Sequence, residues 1–246
     1  MEALAKVKHY INRYLYHRKH RMLPDLVRPG GNGACGQDIF VAELLGNKKN
    51  GVFFDIGAND GVTISNSLYF EKQLGWRGVA VEPIPGVFEK LASNRSCHLV
   101  KGCVAPKAGH AQFVELTGNT NMLSTLQKNN RGLISRRIRK NMQRWQGQLR
   151  TIEVECFTFH DLAQRFAIQE IDFLSVDTEG EELEILKSID FDQHPVSVIS
   201  VENCYYKNSI RKHLEANGFI LLGTFKVDEI YLFGGQALRQ SLAACR

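Results

Sequence analysis

Val52-Phe53-Phe54-Asp55-Ile56-Gly57-Ala58-Asn59-Asp60-Gly61 is an apolar run that stops at an acid and turns through two spaced glycines. The pattern is that of a buried strand feeding a cofactor loop. Gly57 and Gly61 admit backbone angles closed to other residues, and without a Cβ they let a ligand approach the main chain. Asp55 and Asp60 place negative charge where a phosphate-cradling loop presents bare amides, so a pyrophosphate is repelled there.

Outward from this stretch the chain alternates between strand and helix patterns. Strands are predicted at 52–56, 78–82, 97–104, 151–157, 171–176, 196–202, 219–226 and 228–234, with an extra one at 110–116. Helices are predicted at 37–45, 63–74, 85–93, 158–166, 181–188 and 206–217. This order implies an α/β fold: a mainly parallel sheet with helices on both faces and an antiparallel hairpin at one edge.

In such sheets ligands bind beyond the carboxyl ends of the strands, so the polar residues there carry the chemistry. The second strand ends in Glu82-Pro83, with Glu82 25 residues past Gly57. A carboxylate in that place can accept from both hydroxyls of a ribose. Gly57-Ala58-Asn59-Asp60-Gly61 is not the dinucleotide fingerprint, and a plain turn is its alternative reading. Acids in the loop and a ribose-binding acid favour a ligand with a ribose and a cationic centre, such as S-adenosylmethionine (SAM).

Asp177-Thr178-Glu179-Gly180-Glu181-Glu182 follows the apolar strand at 171–176. Glu181 and Glu182 fall in a first helical turn, where the macrodipole alone accounts for acids. Asp177 and Glu179 sit at the carboxyl edge beside the first loop, and Glu202 ends the next strand. These three carboxylates are the candidate catalytic groups: they suit holding a cation, orienting a hydroxyl, or general-base work. A hard divalent cation is a further use of the same oxygens, with no supporting pattern elsewhere. Strand-end capping is the rival account of Glu202, and capping or surface exposure that of His160.

The chain has 246 residues and a net charge of +5. No apolar run approaches the length of about 20 residues that spans a bilayer. Six cysteines at irregular spacing argue against a zinc cluster or a disulfide framework and point to a reducing, cytoplasmic setting. Charge is segregated. Residues 1–28 carry seven Lys/Arg against two acids and residues 116–152 carry eight against none, leaving 16 basic and 24 acidic residues elsewhere. Leu4, Val7, Ile11, Tyr14 and Leu15 form an amphipathic pattern among basic residues. Packing on the domain, lying on an anionic membrane surface and capping a substrate site are all open to it. The second basic stretch includes Arg136, Arg137, Arg139 and Lys140. It favours an anionic acceptor, a glycan-like or small metabolite ahead of nucleic acid, because Trp145 is its only large aromatic.

Gln37-Asp38, the Val52–Gly61 run, Gly75-Trp76-Arg77-Gly78 before Val79-Ala80-Val81-Glu82-Pro83, and Phe173–Glu182 together resemble the FkbM family of class I SAM-dependent methyltransferases. The resemblance implies a Rossmann-like seven-stranded sheet whose last strand is antiparallel. It implies SAM along Asp55, Gly57, Asn59, Asp60 and Gly61, with Glu82 on the ribose and Cys103-Val104 beside the adenine. Asp38, Pro83 and Asp177 belong to the same expected cofactor set. The domain division is then 1–35 for the basic helix and linker and 36–246 for the catalytic domain, with a basic insertion at about 117–150. The expected activity is O-methylation of a carbohydrate or other hydroxylated metabolite. Alternatives are a nucleic-acid methyltransferase, an NAD-dependent oxidoreductase and a non-catalytic binding protein. The chain departs from the family at Ser175, where a lysine is common, and in Thr158-Phe159-His160-Asp161-Leu162.

Overall fold

A computed structural model of the chain describes residues 31–33, 35–116, 124–126, 148–204 and 208–235. The N-terminal segment where a basic amphipathic helix is expected, Trp145 and the candidate acceptor residues Arg136, Arg137, Arg139 and Lys140 lie outside the described residues. Among those described, the helices are α1 (Gln37–Leu44), α2 (Leu68–Leu74), α3 (Pro85–Asn94), α4 (Phe159–Arg165), α5 (Glu182–Ser188) and α6 (Asn208–Ala216). The strands of the main sheet are β1 (Val52–Ile56), β2 (Arg77–Glu82), β3 (His98–Lys101), β8 (Ile171–Val176), β9 (Val196–Glu202), β10 (Phe219–Phe225) and β11 (Asp228–Phe233). Their order is β10-β11-β9-β8-β1-β2-β3. All neighbours pair in parallel except β11, which runs antiparallel between β9 and β10.

The apolar run at 52–56 forms the centre of this sheet because it has apolar neighbours on both faces. Phe53 and Phe54 are fully buried. On the aromatic side, Phe70 of α2 meets Trp76 at 4.5 Å and Phe173 of β8 at 5.0 Å between ring centroids. Phe54 meets Phe159 of α4 at 4.6 Å. Tilted contacts of this kind add to the burial of large rings. Order reverses between β1 and β8, so the chain crosses there to opposite sides and leaves the crevice expected of a doubly wound sheet.

Two expectations are corrected. The helix predicted from 63 begins only at Leu68, because Asp60 takes the amides of Val62 and Thr63 at 2.9 and 2.7 Å and Ile64 sits at φ 56°. The strand predicted at 97–104 breaks at Gly102. Its first part stays in the main sheet, and Cys103–Val104 (β4) joins a second sheet. That sheet has the order β4-β7-β5-β6, with β5 at Gly109–Leu116, β6 at Thr125–Leu126 and β7 at Leu149–Phe157. It walls one side of the crevice.

Candidate active site

The turn after β1 is shaped by a backbone contact. Gly57 has φ 92°, and a Cβ there would lie 1.8 Å from the carbonyl oxygen of Asp177. The Asp177 amide in turn donates to Ile56 O at 2.9 Å. The glycine loop and the Asp177–Glu182 segment, 120 residues apart in sequence, therefore touch main chain to main chain.

Between these two segments and the second sheet lies a cleft of about 710 Å³, counting its open mouth. Its floor is Gly57, Asn59, Glu82 and Pro83; Ile84, Cys103, Val104, Phe113 and Leu126 make an apolar side; Asp177, Thr178, Glu179 and Glu181 make an acidic one. Glu82 is the polar anchor of the floor. Its two oxygens accept from Asn59 N at 3.1 Å and Ile84 N at 2.9 Å. Burial, aided by the charges of Asp55 and Asp60, pushes its carboxyl up to about 7 despite those hydrogen bonds.

At the acidic side, one oxygen from each of Asp177, Glu179 and Glu202 lies within 4.8 Å of the others. Like charges so close cannot all ionise. Burial, then Glu202, Glu179, Asp228 and Glu182, hold the Asp177 carboxyl well above its usual range. Asp228, opposite Glu202 across the β9–β11 pair, is pushed up to about 7 by burial and Glu202, and accepts from Gln37 Nε2 at 2.7 Å. The set offers only oxygen donors, which suits a hard cation, and crowding of like charges raises its affinity for protons.

The sequence-derived candidates divide between the cleft and its supports. Gly57, Asn59, Glu82, Pro83, Cys103, Val104, Asp177 and Glu179 line the cleft. Glu202 is not among the lining residues, but one of its oxygens lies within 4.8 Å of those of Asp177 and Glu179. Asp55, Asp60, Gly61 and Asp38 do not line it. Asp55 is buried and accepts from Ser67 Oγ. Asp60 accepts from Val62 N, Thr63 N and Thr63 Oγ. Asp38 is buried at the start of α1 and accepts from Asn32 N at 2.6 Å. Glu182 is not a helix-dipole ornament: its Oε1 accepts from Thr178 N, Thr178 Oγ and Gly180 N at 2.9–3.0 Å, closing the turn that carries Glu179. His160 neither caps α4, a role filled by Thr158 and Asp161, nor reaches the cleft; its Nδ1 lies 2.9 Å from Nε2 of buried His194.

Phe113, Ser124 and Leu126 are cleft residues that sequence reasoning missed. Only Phe113 lay in a predicted element, and nothing in a strand pattern says which sheet the strand will join.

The model of the methyltransferase FkbM domain matches residues 55–221. The chain belongs to the FkbM methyltransferase family. Membership of this SAM-dependent family makes the protein a methyltransferase and implies SAM as its methyl donor. No curated protein matches the chain. Among solved structures, it is similar to the METTL16 MTase domain at 13% identity and TM-score 0.42, over 81% of this chain and 66% of that one. It thus spans about two thirds of that domain's length. The human methyltransferase 10 domain containing protein aligns at 14% identity and TM-score 0.41, over 89% of this chain and 91% of the other. A methyltransferase from Pyrococcus furiosus aligns at 16% identity and TM-score 0.39, over 91% and 97%.

The FkbM cleft fits the implied donor on its own chemistry. A buried carboxylate with two oxygens on the floor suits a ribose diol, the apolar side suits a flat heterocycle, and three acids face a cation. Among the described residues the lining carries Glu82, Asp177, Glu179 and Glu181 and no lysine or arginine, a balance that disfavours a pyrophosphate. None of the described helices is long and apolar enough to cross a membrane.

Proposed function

We propose that the protein transfers a methyl group from SAM to a hydroxyl of a carbohydrate or other hydroxylated, anionic metabolite. When bound, SAM supplies a methyl carbon on a cationic sulfur, an electrophile that needs an oxygen in line at about 3 Å. Glu82 accepts from the ribose hydroxyls while Asn59 N and Ile84 N fix its orientation. The apolar side formed by Ile84, Val104, Phe113 and Leu126 takes the adenine. Asp177, with Glu179 and Glu202, orients the acceptor hydroxyl and takes its proton.

The observation that carries this reading is the convergence of Asp177, Glu179 and Glu202 at the rim of a cleft whose floor holds Glu82. Raised carboxyl affinity for protons matches general-base work near neutral pH. Preference for an anionic acceptor rests on the basic stretch at 117–150, which is attached to the wall of the cleft through β5, β6 and β7.

Two measurements test the reading. Calorimetry with S-adenosylhomocysteine should show binding by the wild type and at least tenfold weaker binding by Glu82→Ala; no binding at millimolar ligand overturns it. Incubation with methyl-labelled SAM and fractionated cell extract should label material sensitive to glycosidase. Label sensitive to nuclease instead transfers the acceptor to nucleic acid and leaves the donor site standing.

A further inference from the structure

Behind the glycine loop lies a guanidinium that touches no part of the cleft. Arg95 follows the last residue of α3, and its side chain is wholly shielded from solvent. Nε donates to Glu71 Oε2 at 2.6 Å. Nη1 donates to Gly61 O at 3.2 Å and Ser65 Oγ at 3.3 Å, and Nη2 donates to Ser67 Oγ at 3.0 Å. Ser67 Oγ passes the chain on to Asp55. The guanidinium carbon stands 5.4 Å from the centre of the Phe53 ring. One residue earlier, exposed Asn94 donates its Nδ2 to Asp60 O at 2.8 Å. The last two carbonyls of the glycine loop are therefore held by two consecutive side chains.

We propose that Asn94 and Arg95 are positioning residues for methyl transfer. They fix the Asp60 and Gly61 peptides so that Asn59 N meets Glu82 and bare main chain faces the donor cleft. This rests on the reading that the cleft binds SAM.

Three features support it. A buried cation is costly, and apolar residues of similar volume commonly fill such a space at no loss of stability. The guanidinium instead presents a planar fork, whose rigid donors reach acceptors in fixed relative positions. Space behind the loop is matched to it as well: a Cβ on Gly61, at φ 76°, would lie 2.6 Å from Arg95 Cγ. The end of the loop, closed by Gly61 N to Ala58 O at 3.0 Å, is a single turn beyond the last residue of β1.

Arg95→Lys keeps a cation beside Glu71 and Asp55, but one ammonium cannot span Gly61, Ser65, Ser67 and Glu71. Asn94→Ala changes only a surface group. The readouts are S-adenosylhomocysteine affinity by calorimetry and amide hydrogen exchange across the chain. Expected are a loss of affinity of at least tenfold for Arg95→Lys and about threefold for Asn94→Ala. Exchange should quicken in peptides covering 57–63 while β8 and β9 stay unchanged. A surface control, Lys187→Met, should move neither. Affinities within the error of wild type, or exchange that quickens evenly through the sheet, overturn the proposal. Should Arg95→Lys fail to fold, an Asn94→Ala protein matching wild type in both readouts overturns it alone. If wild type itself fails to bind S-adenosylhomocysteine, the donor reading falls, and local exchange still decides whether the pair holds the loop.

Discussion

Arg95 and Asp177 stand on opposite sides of the same loop, in opposite electrical settings. Around Arg95 the charges alternate: Glu71 on one flank, Asp55 through Ser67 on the other. Hydrogen bonds from Ser96 N and from Arg95, with the Arg95 charge, outweigh burial and hold the Glu71 carboxyl down to about 2. Around Asp177 the influential charges are all of its own sign: Glu202, Glu179, Asp228 and Glu182. The first region is a balanced frame that is complete without a ligand. In the second, repulsion is relieved by a proton or by a cationic ligand. Support and chemistry are thus separated: rigidity is built where charges pair, and reactivity is kept where they do not.

The sharpest way to break this division is Gly57→Ala, which forces the two regions apart at their shared contact. A Cβ 1.8 Å from Asp177 O, at φ 92°, has nowhere to go. A loss of about 4 kcal/mol or more in urea melts is expected. Asp177→Asn tests the unpaired side. It should lower turnover with labelled SAM by about 10²–10⁴-fold, the usual worth of a positioned acid or base, while the protein melts no lower than wild type. A rate within threefold of wild type would reassign the base. Glu71→Gln tests the paired side by leaving Arg95 short of its counter-ion. It should cost about 3 kcal/mol in denaturant midpoint, as for other broken buried pairs.

The smallest effect is the dependence on pH. Glu82 and Asp228, both raised to about 7 in the folded chain, keep their protons after the unfolded chain has lost them. Each contributes stability below the unfolded value of about 4.5 or 4, and that stability is lost as pH rises through about 7. Glu71, lowered to about 2, behaves oppositely: its contribution is present above about 4.5 and lost as pH falls through about 2. The apo protein should therefore melt higher at pH 6 than at pH 8. Glu82→Gln should flatten that slope, raise the pH 8 midpoint by a few degrees and weaken S-adenosylhomocysteine binding. A wild-type midpoint that climbs from pH 6 to 8 would contradict the raised carboxyls.

Much of this was legible in the chain. β1, β2, β8 and β9 are largely apolar because parallel strands are buried on both faces, and β2 and β8 lead into Glu82 and Asp177, which line the cleft. Glu82, Asp177 and the antiparallel position of the last strand followed from that rule and from the family resemblance. What the sequence did not show has local causes. Asp55 and Asp60 have the look of cofactor ligands in sequence, and in the structure they lie outside the cleft lining and accept from Ser67 Oγ and from the amides of Val62 and Thr63. Arg95 and Glu71 are 24 residues apart in two different helical segments, so no periodicity joins them. The second sheet was hidden because strand patterns record which faces are buried and not which neighbours bury them.

The contact between Gly57 and Asp177 also bears on how the family can vary. The atom in the way is a main-chain oxygen, present whatever residue occupies position 177. No second substitution there can make room for a side chain at 57, so the penalty is independent of genetic background. In a saturation library, position 57 should accept glycine alone, even in variants where the acids around it have been exchanged.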